Sequence, residues 1–184
     1  MCGIYGVITA KNSKYSKEVL SKFLEELAFL SETRGKDSSG LCVFDQNKSR
    51  IEVVKGPLPI KQLFKQNATN DIISSAFSNG NNTKYAFGHA RLVTNGTQLN
   101  DVNNQPVVKD GIIGVHNGII ANVDDLWGNH TEINRENEID TEVLLALIRS
   151  EIDIQNSVEK AVAKSVNKVV GTVATALVFD DLSE

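Results

Sequence analysis

Residues 2–9 read Cys2-Gly3-Ile4-Tyr5-Gly6-Val7-Ile8-Thr9. The run is apolar and carries no helical period, so it is expected to form a strand that begins almost at the first residue. A cysteine heading that strand, directly after the initiator methionine, is unusual placement. If Met1 is removed, Cys2 carries both a thiol and a free α-amino group. A thiol with a reference pKa of about 8.5 needs a base, and an α-amino group at about 7.7–8.0 is matched to that task near neutral pH. One residue would then hold nucleophile and base together. The plainer reading is a cysteine that merely starts a buried strand, and position alone does not separate the two. Cys42, inside the apolar run Leu41-Cys42-Val43-Phe44, reads as a core side chain.

Working outward, Val19, Leu20, Phe23, Leu24, Leu27 and Leu30 recur at helical spacing, which predicts a helix over about 15–33 with one apolar face. Arg34-Gly35-Lys36-Asp37-Ser38-Ser39-Gly40 reads as a polar loop, followed by strands over 41–45 and 50–54. A strand at 85–93 should lead into a long polar loop from Thr94 to Gln105. A further strand over about 111–116 runs into Asn117-Gly118. Two helices, about 138–152 and 157–169, precede a closing strand in Thr172-Val173-Ala174-Thr175-Ala176-Leu177-Val178-Phe179-Asp180-Asp181. Groups of strands with helices between them indicate a layered α+β or mixed α/β domain. The chain has 184 residues, about the length of one globular domain. It ends just after that strand, so a continuation is expected.

Hydrophobic residues make up 41% and charged residues 23% of the sequence, with a formal net charge of -4. That balance weighs against nucleic acid or an anionic membrane surface as partner, since both favour basic patches. No run approaches the roughly 18 apolar residues of a membrane span. Nothing resembles a signal peptide, so the expected location is the cytoplasm, where the two cysteines stay reduced. No CxxC or Cys/His cluster suggests a metal site.

Four further residues stand out. Asn117-Gly118 ends an apolar strand after His116. A side-chain amide beside a glycine N–H could form an oxyanion hole, although an Asn-Gly pair is also a common hairpin turn. Arg91 closes a mostly apolar strand, where a guanidinium could grip a ligand carboxylate. Asp140 sits at a helix start, either as an N-cap or facing a ligand cation.

Together these segments resemble the glutaminase domain of class II amidotransferases, the glucosamine-6-phosphate synthase group in particular. CGIYGVI looks like that family's nucleophile strand. RGKDSSG at 34–40 resembles its RGYDSAG loop, and GHARLVTNG at 88–96 its GHTRWATHG segment. HNGII at 116–120 and DTEV at 140–143 resemble its oxyanion and ammonium-binding motifs. The matches keep the family's order across residues 2–143. The resemblance implies an α+β fold, a four-layer αββα sandwich of the N-terminal-nucleophile type. It implies Cys2 as nucleophile, Asn117 and Gly118 as the oxyanion hole, and Arg34 as support for the first strand. Arg91 would take the α-carboxylate of glutamine, with help from Thr94, and Asp140 its α-ammonium. No cofactor or metal is implied. The partner would be an ammonia-accepting synthase domain or subunit beyond residues 1–184. Leu92, Asn95 and Gln105 depart from the family, which has tryptophan, histidine and histidine there. Two other readings stay open, a non-catalytic regulatory domain of the same fold and a hydrolase of another amide.

Overall fold

The computed structural model describes residues 2–46, 48–78, 82–93, 97, 99–155 and 157–181. In chain order the elements are β1 (Gly3–Ile8), α1 (Lys17–Ser31), β2 (Ser38–Asp45), β3 (Arg50–Gly56), α2 (Ile60–Leu63), α3 (Asn67–Ala76) and β4 (Tyr85–Arg91). Then come β5 (Val107–Lys109), β6 (Ile112–Ile120), α4 (Val123–Asn129), α5 (Asp140–Gln155), α6 (Val158–Val166) and β7 (Gly171–Phe179). Single 3-10 turns sit at Glu32–Arg34 and Asp101–Asn103.

Two antiparallel sheets form, one ordered β1-β4-β2-β3 and one ordered β5-β6-β7. Each buries one face against its own helices. Leu20, Leu24 and Ala28 of α1, with Ile72 and Ile73 of α3, pack on Tyr5, Leu41, Val43, Ala86 and Ala90 of the first sheet. Leu144, Leu145, Leu147 and Ile148 of α5 pack on Ile112 and Ile120 of the second. The remaining faces turn toward each other, which gives the layers α, β, β, α expected from the resemblance.

Local chemistry sets the element ends. Ser16 caps α1, its hydroxyl accepting from the Val19 N–H at 3.4 Å, and Ser157 caps α6 through the Lys160 N–H at 3.4 Å. In α5 every side chain from Val143 to Ile148 is buried, which suits a helix wedged between a sheet and its neighbours.

Three expectations need correction. The apolar residues of α1 do not form one face: Leu20 and Leu24 are buried, whereas Phe23 and Leu30 are 46% and 67% exposed. One helix can offer a single stripe to one sheet, and the i, i+4 row ending in Ala28 takes that place. Ser38, Ser39 and Gly40 are the start of β2 rather than loop. Asn117-Gly118 is no turn, because β6 runs through it to Ile120, paired with β7 along its whole length. The end of the polar loop is also buried: Asn103, Asn104 and Gln105 are 0%, 0% and 7% exposed.

Pleating decides which side chains reach the space between the sheets. In β4, Ala86 and Ala90 face the helices, so Phe87, His89 and Arg91 face the second sheet. His89 is fully buried, and among the described residues neither ring nitrogen has a hydrogen-bond partner. Burial, with the Arg91 and His116 charges adding to it, pushes its pKa down to about 3.

Two outcomes check this arrangement. Leu24→Ala should lose about 2–5 kcal/mol of stability, whereas Phe23→Ala should lose about 1 kcal/mol or less, both read from urea unfolding. Equal losses would reverse the assignment of the buried row. The second concerns acid. Below about pH 6.5 the unfolded chain protonates His89, while the folded chain refuses that proton until about pH 3. Stability is therefore complete above that window and falls on descending through it. The urea midpoint of the parent should drop more between about pH 7 and about pH 4 than that of His89→Leu; parallel profiles would mean that His89 finds a partner for its proton.

Candidate active site

Cys2 precedes β1, and the pairing of Gly3 with Ala90 sets it beside the end of β4. Its Sγ lies 3.4 Å from the Leu92 N and 3.5 Å from the Leu92 O. Its carbonyl accepts two hydrogen bonds, from Arg34 Nε at 2.8 Å and from Asn117 Nδ2 at 2.9 Å. The first donor comes from the 3-10 turn after α1 and the second from the facing sheet. Cys42 lies apart, fully buried in β2, and burial pushes its thiol up to about 12.

The turn from Arg34 onward is pressed against the end of β4. Gly35 has no room for a side chain: a Cβ there would sit 2.4 Å from the Arg91 carbonyl carbon. Asp37 secures the chain just past β4, its N–H donating to the Arg91 O at 3.0 Å and its carboxylate accepting from the Val93 N–H at 2.8 Å. Leu92, whose backbone meets the thiol, is thus gripped from both sides. No local pattern marks Asp37 for this role beyond its place in RGKDSSG.

Alternation along β6 sorts its functional residues. Ile112 and Ile120 pack toward α5, so Asn117 points the other way, toward Cys2. His116 and Gly118 share the α5 side. His116 Nε2 donates to the Thr172 carbonyl at 3.2 Å and Nδ1 stands 3.7 Å from Asp140 Oδ1. Gly118 has φ +156, and a Cβ there would fall 1.9 Å from the Thr172 O, so only glycine fits.

Asp140 is the first residue of α5, and its Oδ2 accepts from the Ile120 N–H of β6 at 3.0 Å. Burial pushes this carboxyl up, but the nearby His116 ring and the hydrogen bond from the Ile120 N–H outweigh it and hold the pKa below the ordinary carboxylate value. Glu142 fixes the approach to the helix. It is fully buried and accepts from the N–H groups of Glu136 and Asn137 at 2.8 and 2.7 Å, with Lys109 Nζ 3.4 Å away. Its place in the first helical turn was a signal for that role.

Arg91 is 5% exposed; its Nη1 donates to the Asn103 carbonyl at 2.7 Å and to Asn104 Oδ1 at 3.3 Å. The buried amides of the loop therefore hold the guanidinium at the site. Thr94 and Asn95 lie outside the described residues.

Cys2, Arg91, Gln105, Gly118 and Asp140 line one narrow cleft of about 20 Å³, roughly the space of one water molecule. A thiol, a buried cation, a carboxylate and a glycine backbone share it. A far larger cavity of about 1280 Å³ lies between the sheets beside Ile8, Phe87 and Val178. Its walls carry no cysteine, histidine or arginine, so size does not mark the chemistry here. Among the described residues no cluster of three metal-binding side chains forms, and no helix is long and apolar enough to cross a membrane.

Comparison with known proteins agrees with this fold. The family model described as "Glutamine amidotransferase domain" matches residues 89–183. The glutamine–fructose-6-phosphate aminotransferase (isomerizing) of Thermococcus kodakarensis is 34% identical over 98% of this chain, and that of Clostridium perfringens 30% over 100%. The chain spans only 28% and 27% of those relatives. Among solved structures, the glutamine phosphoribosylpyrophosphate amidotransferase of B. subtilis, complexed with ADP and GMP, superposes with a TM-score of 0.66 at 21% identity. That superposition covers 96% of this chain and 35% of the other. The structure described as the allosteric regulatory enzyme of purine biosynthesis gives 0.65 at 20% identity. At such identities the likeness is one of fold. With the family model covering just over half of its residues, the chain belongs to the glutamine amidotransferase domain family, as a class II domain of the N-terminal-nucleophile type.

Proposed function

We propose that this domain hydrolyses glutamine to glutamate and ammonia, with Cys2 as nucleophile. The observation that carries the proposal is the shared cleft: thiol, Arg91, Asp140 and Gly118 meet there. Arg91 and Asp140 suit a ligand bearing both a carboxylate and an ammonium, as a free amino acid does. Removal of Met1 exposes the Cys2 α-amino group as base. The thiol gives its proton to that amine, and Sγ attacks the glutamine Cδ. The tetrahedral oxyanion takes hydrogen bonds from Asn117 Nδ2 and the Gly118 N–H. Asn117 Nδ2 carries two protons, and only one is committed to the Cys2 carbonyl at 2.9 Å. As the C–N bond breaks, the amine returns its proton to the departing nitrogen and ammonia leaves. Water then hydrolyses the thioester to glutamate. Arg34 steadies the nucleophile through the Cys2 carbonyl at 2.8 Å. Thr94 completes the carboxylate grip in this reading. Glutamine enters by widening of the narrow cleft.

Ammonia passes to a synthase domain or partner that follows or joins residues 1–184. Amino-sugar synthesis is the favoured use, because the curated relatives pair glutamine with fructose 6-phosphate in their names. A cytoplasmic setting suits the free thiols.

Cys2→Ala should abolish ammonia release from glutamine, while Cys42→Ala should keep the rate within a few fold and lose about 1 kcal/mol of stability. Equal loss of activity in both variants would sink the assignment of the nucleophile. Asn117→Ala should lower kcat by roughly 10²–10³ with little change in KM, because the oxyanion exists only after attack. A raised KM at unchanged kcat would make Asn117 a ground-state contact.

A further inference from the structure

The β5–β6 pairing runs Lys109↔Ile112, Val108↔Ile113 and Val107↔Gly114. Carried onward, the same register sets Pro106 opposite Val115 and Gln105 opposite His116. Pro106 has no N–H to give, and the backbone ladder stops at Val107. The side chain of Gln105 then takes over. Its Oε1 accepts from the His116 N–H at 2.5 Å, and its Nε2 donates to the His116 carbonyl at 3.0 Å. These are the two bonds that an antiparallel strand residue would exchange with its partner. A carboxamide presents a donor and an acceptor on one edge, as a peptide does.

The segment carrying Gln105 is itself anchored to the other sheet. Lys55 Nζ of β3 donates to the Asn104 and Pro106 carbonyls at 2.7 and 3.0 Å. Gly40 of β2 approaches so closely that a Cβ would sit 2.2 Å from the Gln105 O. Gln105 thus ties the first sheet to the middle of β6.

Direction along β6 gives this tie its consequence. In an antiparallel strand, alternate residues turn N–H and C=O to the same edge. His116, Gly118 and Ile120 therefore share the edge away from β7. The His116 N–H goes to Gln105 at 2.5 Å and the Ile120 N–H to Asp140 at 3.0 Å. Gly118 stands between them with its N–H toward the cleft that it lines with Cys2.

We infer that Gln105 is a positioning residue for the oxyanion hole: its carboxamide stands in for a strand peptide and, with Asp140 on the far side, fixes the direction of the Gly118 N–H. The inference rests on the glutaminase reading. A histidine, the residue the sequence resemblance expects at this place, has ring nitrogens that diverge and cannot make both bonds to one residue.

The test uses full-length protein with Met1 removed and compares the parent with Gln105→Met and Gln105→Glu. Met keeps the length and loses both bonds. Glu keeps the acceptor and sets a carboxylate against the His116 carbonyl. Both should lower kcat for glutamine about tenfold or more while KM stays within about twofold, because the misaligned donor acts on the transition state. Rates are normalised to titratable Cys2, which removes any loss from unfolded protein. Amide exchange at His116, read by NMR, should quicken in Gln105→Met while the β1 and β4 amides keep their protection. Parent-like kcat in both variants, or unchanged His116 exchange, overturns the positioning role while leaving the glutaminase reading intact. Should the Met variant fail to fold, the Glu variant decides by the same criteria. A parent that releases no ammonia overturns the glutaminase reading, and this inference with it.

Discussion

The carbonyl of Cys2 is the point on which the site depends. It accepts from Arg34 at 2.8 Å and from Asn117 at 2.9 Å. One donor comes just after α1 and the other lies on the facing sheet, so this oxygen joins three layers of the sandwich. A residue ahead of the first strand is otherwise poorly held, because terminal residues fray unless something ties them. Here the Cys2 backbone is tied on both sides, while its thiol lines the cleft. The charge-assisted bond from Arg34 is the stronger of the two in kind. Asn117 adds a different property, since its bond ties the Cys2 backbone to the facing sheet.

A second constraint is the polar layer between the sheets. His89, Arg91, Asn103, Asn104, Gln105 and His116 are all buried. Burial of unpaired polar groups costs free energy, so such a layer persists only where partners are supplied. The loop amides supply them, for Arg91 through Asn103 and Asn104 and for β6 through Gln105. Asn103 reaches further, donating to Glu138 Oε2 at 3.1 Å just ahead of α5. Cleft, loop and helix start are thereby joined by hydrogen bonds rather than by apolar packing. That choice leaves charged groups, Arg91 and Asp140, at the same cleft.

The His89 ring is the exception within this layer, buried with neither nitrogen partnered among the described residues. It stays neutral because a charge there would lack solvation and would lie near Arg91. A neutral imidazole between two sheets fills space without competing for the polar contacts of Arg91. The carboxylate of Asp140 meets the opposite condition, since the Ile120 N–H and the nearby His116 ring of β6 hold its pKa low despite its burial.

Much of this was legible in the sequence. The strand at the N-terminus, the helix between Lys17 and Ser31, the strand ending at Arg91 and the buried helix after Asp140 are set by periodicity and end signals, which are local properties of the chain. Cys2, Arg91, Asn117, Gly118 and Asp140 are singled out by their placement and, above all, by the ordered motifs of the family resemblance. What the sequence could not decide is how these positions meet. The face of α1 that is buried depends on the sheet it packs on, since the helix carries apolar residues on more than one side. Asn117-Gly118 has the local chemistry of a turn, and pairing with β7 across more than fifty residues of chain makes it strand instead. Gln105 reads as the end of a polar loop. Only the register of β5 against β6, and the missing N–H of Pro106 within it, turns that side chain into a substitute for backbone. Hydrogen-bond partners distant in sequence leave no periodic trace, so tertiary structure alone assigns them.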